Sequence, residues 1–152
     1  MNLLVSLLIS TFIATSLMTL FSYIVSAGFR ELYKEPLLLK YILIKFKINV
    51  SDQVKEVFAW GIHYTIGLLF VLSYYFLYHY KLIHFIFLTG FYLGAISGII
   101  GIIGWIIMFK LSGFNHKIND KGYYIQLFVA HVIFGLTAVL TFWFLHNVLY
   151  TN

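Results

Sequence analysis

Cysteine is absent from the 152 residues of this chain, and only 10% of its side chains carry a charge. The first absence excludes a secreted disulfide scaffold, a thiolate-ligated zinc or iron–sulfur centre and catalysis by a cysteine nucleophile, all of which need thiols. The second leaves no folded polar face on which to bind nucleic acid, despite a net charge of +5 and a pI near 9.4. Phosphate-binding and hydrolytic signatures are missing too: the chain has no G-x-x-x-x-G-K-[ST], H-E-x-x-H or G-x-S-x-G. A binding or packing role is therefore favoured over an enzyme.

What is present is apolar surface. Hydrophobic residues make up 62% of the chain and aromatics 20%, with a mean hydropathy of +0.94, far above the roughly half-apolar composition of soluble domains. Four charge-free runs, 3–27, 57–78, 85–109 and 124–149, each exceed the about 20 residues that a helix needs to cross a bilayer. The expected architecture is all-α: a polytopic membrane protein with a single transmembrane domain, a four-helix bundle built from two similar helical hairpins. Continuous runs rather than alternating ten-residue units argue against a β-barrel. No span contains Asp, Glu, Lys or Arg, which weighs against proton-coupled transport.

Charge position sets the expected orientation. Nine of the ten basic residues fall in 28–56 and 110–123, and the tenth, Lys81, lies in the 79–84 turn. Excess Lys and Arg marks the cytoplasmic side, so both long connections belong inside and both termini outside, in a bacterial inner membrane. The first run lacks a basic start and a clean cleavage site, and reads as a retained span. Tyr74, Tyr75, Tyr78 and Tyr80, Tyr123 and Tyr124, and Trp143 and Tyr150 cluster at span ends, where amphipathic rings favour the headgroup level. The segment about 30–50, with Pro36 followed by apolar residues mixed with lysines, reads as an interfacial segment on the anionic inner leaflet. Ser51 before Asp52 reads as an N-cap.

Small residues predict where helices approach. Gly90, Gly94 and Gly98, followed by Gly101 and Gly104, form a glycine zipper in span 3, and span 1 carries Ser6, Ser10, Ala14, Ser22 and Ser26. Their expected partnership brings spans 1 and 3 together, within one chain or between chains.

Spans 2 and 4 align at an offset of about 68 residues, with His63, Gly67 and Leu68 over His131, Gly135 and Leu136. Two spans in the same direction with matching motifs suggest an internal repeat about an axis along the membrane normal. Each histidine lies about seven residues into its span, roughly 10 Å below the cytoplasmic boundary, and each glycine shares its histidine's helix face. His63 and His131 are thereby the candidate cofactor-binding and metal-ligating pair, with Gly67 and Gly135 as clearance beside the rings. Neutral imidazole ligates haem iron and other metals. The plainer alternative is a histidine hydrogen-bonded to Ser or Thr across a helix interface. A second pair from His79 and His146 fails on periodicity, because at about 100° per residue they diverge from the first pair by different angles. His84 is expected at the outer rim and His116 in a polar loop.

The stretch 11–19 (TFIATSLMT), His63-x-x-x-Gly67, the glycine-rich span 3 ending in Gly104 and Trp105, and His131-x-x-x-Gly135 together resemble small, YagU-like bacterial inner-membrane proteins. The resemblance covers the spans and not the loops. It implies four helices in the inner membrane and no activity.

Three functional expectations follow. The first is a non-enzymatic subunit that packs by its glycine face into a homo-oligomer or a larger complex. The second is a binder of a b-type haem, a metal ion, a quinone or another lipophilic ligand at the paired histidines. The third is an oligomeric pore. All have the lipid bilayer as partner and none involves nucleic acid.

Overall fold

The computed structural model describes residues 2–29, 34–84, 86–113 and 120–149. They form five helices and no strand: α1 (Leu3–Phe29), α2 (Glu35–Lys45), α3 (Asp52–His79), α4 (Phe87–Ser112) and α5 (Asp120–Leu149). All except α2 are long and apolar enough to cross a membrane. Residue 85, which opens the third apolar run, and His116 and Tyr150 lie outside the described residues.

Local chemistry fixes the ends. Asn2 Oδ1 accepts from the Leu4 N–H at 3.1 Å at the start of α1, and Ser51 Oγ accepts from the Val54 N–H at 3.4 Å, so the N-cap expected before α3 is present. Pro36 occupies the first turn of α2, where a missing N–H costs nothing. Gly113 ends α4 in the left-handed region at φ 60°, a conformation that disfavours residues with a Cβ. The helices outrun the charge-free sequence: α3 starts at Asp52 and α4 continues to Ser112. Polar residues carry these extra turns beyond the apolar runs.

The centre of the bundle is α5, which packs along both α4 and α1, while α3 leans on α1 and α2. The glycines of α4 explain the first contact. A Cβ on Gly94 would lie 2.6 Å from the His131 carbonyl oxygen and 2.7 Å from Val132 Cα, and one on Gly90 would lie 3.1 Å from the Gly135 carbonyl oxygen. Backbone meets backbone there, so dispersion acts at close range, as helix association in lipid requires. The small residues of α1 are buried, but against α5 and α3 rather than α4. The expected pairing of spans 1 and 3 is thus corrected: each small-residue face found α5, which has small residues of its own in Ala130, Gly135 and Ala138.

The helix α2 lies between α1 and α3 in the chain and rests on α3 and α4. The segment expected at the inner leaflet is turned inward on one side. Leu38, Leu39 and Ile42 join Ala59, Trp105, Phe109, Tyr123 and Leu127 in one core cluster. A second cluster, around Met18, Val71, Tyr74, Leu93 and Phe134, fills the other half of the bundle. The outer faces expose large apolar residues such as Phe12, Ile24, Leu69, Ile99 and Ile103, as helices solvated by lipid do.

Candidate functional site

Between the two core clusters the packing opens into a cavity of about 190 Å³. Met18 and Phe134 come to it from one cluster, Leu39 and Trp105 from the other. His63 from α3 and His131 from α5 both line it, each only 6% exposed. The two rings therefore share one interior space.

The rings are held in different ways. Nε2 of His63 lies 2.9 Å from Thr19 Oγ1 in α1, and that hydroxyl lies 2.7 Å from the Thr15 carbonyl oxygen. A hydroxyl has one proton and a carbonyl can only accept, so both contacts are satisfied together when Thr19 donates to Thr15 and His63 Nε2–H donates to Thr19. The unprotonated nitrogen of His63 is then Nδ1. His131 Nδ1 lies 2.8 Å from the Leu127 carbonyl oxygen one turn back, so Nδ1 carries the proton and Nε2 keeps its lone pair. Trp60 and Tyr64 meet the His63 ring edge-on with centroids 6.3 and 6.2 Å away, and Phe70 meets His131 in the same manner at 6.0 Å. The plainer sequence alternative, a histidine bonded to a threonine across a helix interface, describes His63. It does not describe His131, which bonds its own helix.

The glycines divide differently from the sequence expectation. Gly67 lines the cavity, and its helix face abuts the Thr15 side chain of α1. A Cβ on Gly135 would lie 2.5 Å from the Gly90 carbonyl oxygen and from Gly94 Cα, so this glycine serves the contact of α5 with α4. The glycine beside His131 is Gly101, where a Cβ would lie 2.9 Å from both Cε1 and Nε2 of the ring. The motif His-x-x-x-Gly thus repeats in sequence while its second glycine turns to a different neighbour, because a helix on either side of α5 competes for small residues.

Glu35 completes the site and lay outside the expected pair. It opens α2, is 2% exposed and lines the same cavity. Its Oε1 accepts from Ser22 Oγ at 2.8 Å and from Gln126 Nε2 at 3.4 Å, tying α1, α2 and α5 together, while its Oε2 is buried without a hydrogen-bond partner. Burial, which penalises the charged form, pushes its carboxyl up to about 7 against the pull of those hydrogen bonds. The sequence carries two features that could have drawn attention to it, a glutamine inside an otherwise apolar run and a glutamate directly before the only proline, but neither says that the two meet.

Neither a haem nor a metal centre fits this wall. Pockets for drug-sized ligands run from roughly 300 to 1,000 Å³, and a porphyrin between the rings would need more room than the about 190 Å³ present. Among the described residues no three His, Asp or Glu side chains are grouped to hold a metal ion, and two imidazoles leave a four-coordinate ion half bound. The volume suits a smaller guest, since an apolar cavity of about 150 Å³ admits benzene.

No family model, curated protein or solved structure matches this chain.

Proposed function

We propose that this chain is a membrane protein that binds a small lipophilic molecule in its bundle interior, using His63 and His131 as polar contacts. The observation that carries the reading is that two histidines from separate helices, together with Glu35 and Thr15, line one mostly apolar cavity. Mostly apolar walls with a few placed polar groups are the usual make-up of a small-molecule site, and ionisable side chains inside a span point to function before structure. The role is binding without bond-making chemistry.

The subunit reading drew on glycines of span 3 in search of a partner. Because α5 of the same chain takes up Gly90, Gly94 and Gly98, the interior cavity is ranked ahead of an oligomer interface or a pore. The distribution of Lys and Arg supports a cytoplasmic position for α2 and outside termini in a bacterial inner membrane. The matching motifs of spans 2 and 4 support descent from a duplicated hairpin whose copies have since packed differently.

Gly104 provides the test. It lines the cavity and a Cβ added there meets nothing within 4 Å, so Gly104→Leu fills the space at low cost to the fold. Protein purified in mild detergent is extracted with solvent and the extract analysed by mass spectrometry. A small apolar compound near one per chain in the wild type, depleted in Gly104→Leu, is expected. Identical extracts from both, with no cavity-dependent binding of an added aromatic probe, would contradict the reading.

A further inference from the structure

The hydrogen-bond pattern of the two rings restricts the chemistry of the guest. Each imidazole spends its one N–H on the protein: His63 on Thr19 and His131 on the Leu127 carbonyl. What remains on both rings is a lone pair, on Nδ1 of His63 and on Nε2 of His131. The latter lies over Gly101, itself part of the cavity wall. Thr15 of α1 lines the same cavity with its hydroxyl buried and unpartnered, so it can donate to the oxygen of a guest that also gives a proton to an imidazole.

We infer that the cavity selects a lipophilic molecule bearing a hydroxyl donor, such as a phenol or a hydroquinone head, over the corresponding ether or a quinone whose oxygens can only accept. This rests on the proposed ligand-binding role and adds the class of ligand. A hydroxyl gives its proton to an imidazole lone pair and keeps lone pairs of its own. A carbonyl or ether placed at the same nitrogen sets acceptor against acceptor, and the desolvated ring is left unpaired, the situation from which hydrogen-bonding sites obtain their largest discrimination. A single aromatic ring matches the volume, and Phe70 and Phe134 supply apolar walls for it. An ammonium donor is disfavoured, because a carboxyl with the elevated pKa of Glu35 offers only part of a counter-charge in a buried site.

The test compares 4-propylphenol with its methyl ether, 4-propylanisole, by equilibrium dialysis against the full chain in nanodiscs, with empty nanodiscs to subtract partition into lipid. The phenol is expected to bind about tenfold more tightly than the ether. In His131→Phe, which keeps the ring volume and removes the acceptor, that ratio falls towards one; Gly104→Leu loses both probes. Equal or tighter binding of the ether to the wild type overturns the inference and leaves the ligand-binding role intact. A ratio unchanged in both His131→Phe and His63→Phe overturns it as well. If neither probe binds above empty nanodiscs, the ligand-binding role itself falls and the inference with it. The wild-type ratio is decisive without any variant, so misfolding of a substituted protein leaves the test standing.

Discussion

At the scale of single residues, the site depends on groups whose neighbours leave them one option each. Gly101 is one: a Cβ at 2.9 Å from the His131 ring forces that ring to move, and its Nδ1–H bond to Leu127 resists the movement. Gly101→Ala is therefore expected to destabilise the protein by about 1–2 kcal/mol, and to weaken binding of 4-propylphenol by more than that change in stability accounts for. Thermal unfolding and dialysis on the same preparation separate the two effects. Glu35 is the other. Its folded carboxyl stands at about 7 against an ordinary 4.5, so between those values the folded protein holds a proton that the unfolded chain has released. The contribution of Glu35 to stability is then greatest at low pH, falls as pH rises through that window and stays at its lower level above it, by at most roughly 3 kcal/mol. Glu35→Gln keeps the shape and removes this titration, so the melting temperature of the wild type in detergent should fall relative to that of the variant as pH rises through the window. A difference between the two that stays constant with pH would show that the buried carboxyl is not held as described. Neither residue stood out in the sequence as part of the pair, because what selects them is the path of α2 and of α4, and no local pattern encodes those paths.

Among the helices, the extent of each span was legible and its partner was not. Charge-free runs and the Ser51 cap placed α3 and α5 to within a few residues, because length and hydropathy are properties of one segment. Partnership is a property of two. Glycines on α4 and serines on α1 both advertise close approach, and the reading joined them to each other when α5 receives both. The same holds for α2: its lysines suggested the leaflet surface, yet Leu38, Leu39 and Ile42 enter the core, and Lys40 pairs with Glu56 of α3 at 3.3 Å. A prediction separates glycines that pack from those that do not. Gly94→Ala places a Cβ 2.6 Å from backbone that has no room to yield, and should cost roughly 3 kcal/mol or more. Gly61→Ala, with nothing within 4 Å, should be neutral or stabilising by up to about 1 kcal/mol from helix propensity alone. Comparison of their unfolding midpoints checks the α4–α5 contact directly.

For the whole molecule, the absence of cysteine turns into a tool. Single substitutions Asn2→Cys and Lys47→Cys give the only thiols in their chains, and an impermeant maleimide added to intact cells should label the first and spare the second until the membrane is opened; the reverse pattern would invert the proposed orientation. How much of the site the sequence contained can be stated from its parts. His63 and His131 were legible because two ionisable groups recur at one depth in parallel spans, and the structure does bring both to one cavity. The contact of Gly135 with α4 was not legible because equal spacing says nothing about which neighbouring helix a glycine meets, and the volume that bears on the haem expectation is set only by packing. The central claim is that these two imidazoles line one guest site, each offering it the nitrogen that the protein leaves unprotonated. Nitrogen-15 NMR of the labelled histidine rings in nanodiscs tests it most directly. The account predicts a proton on Nε2 of His63 and on Nδ1 of His131, and an upfield movement of the bare nitrogen of the ring that accepts the phenol proton when 4-propylphenol is added. Opposite tautomers, or no movement at either ring, would contradict it.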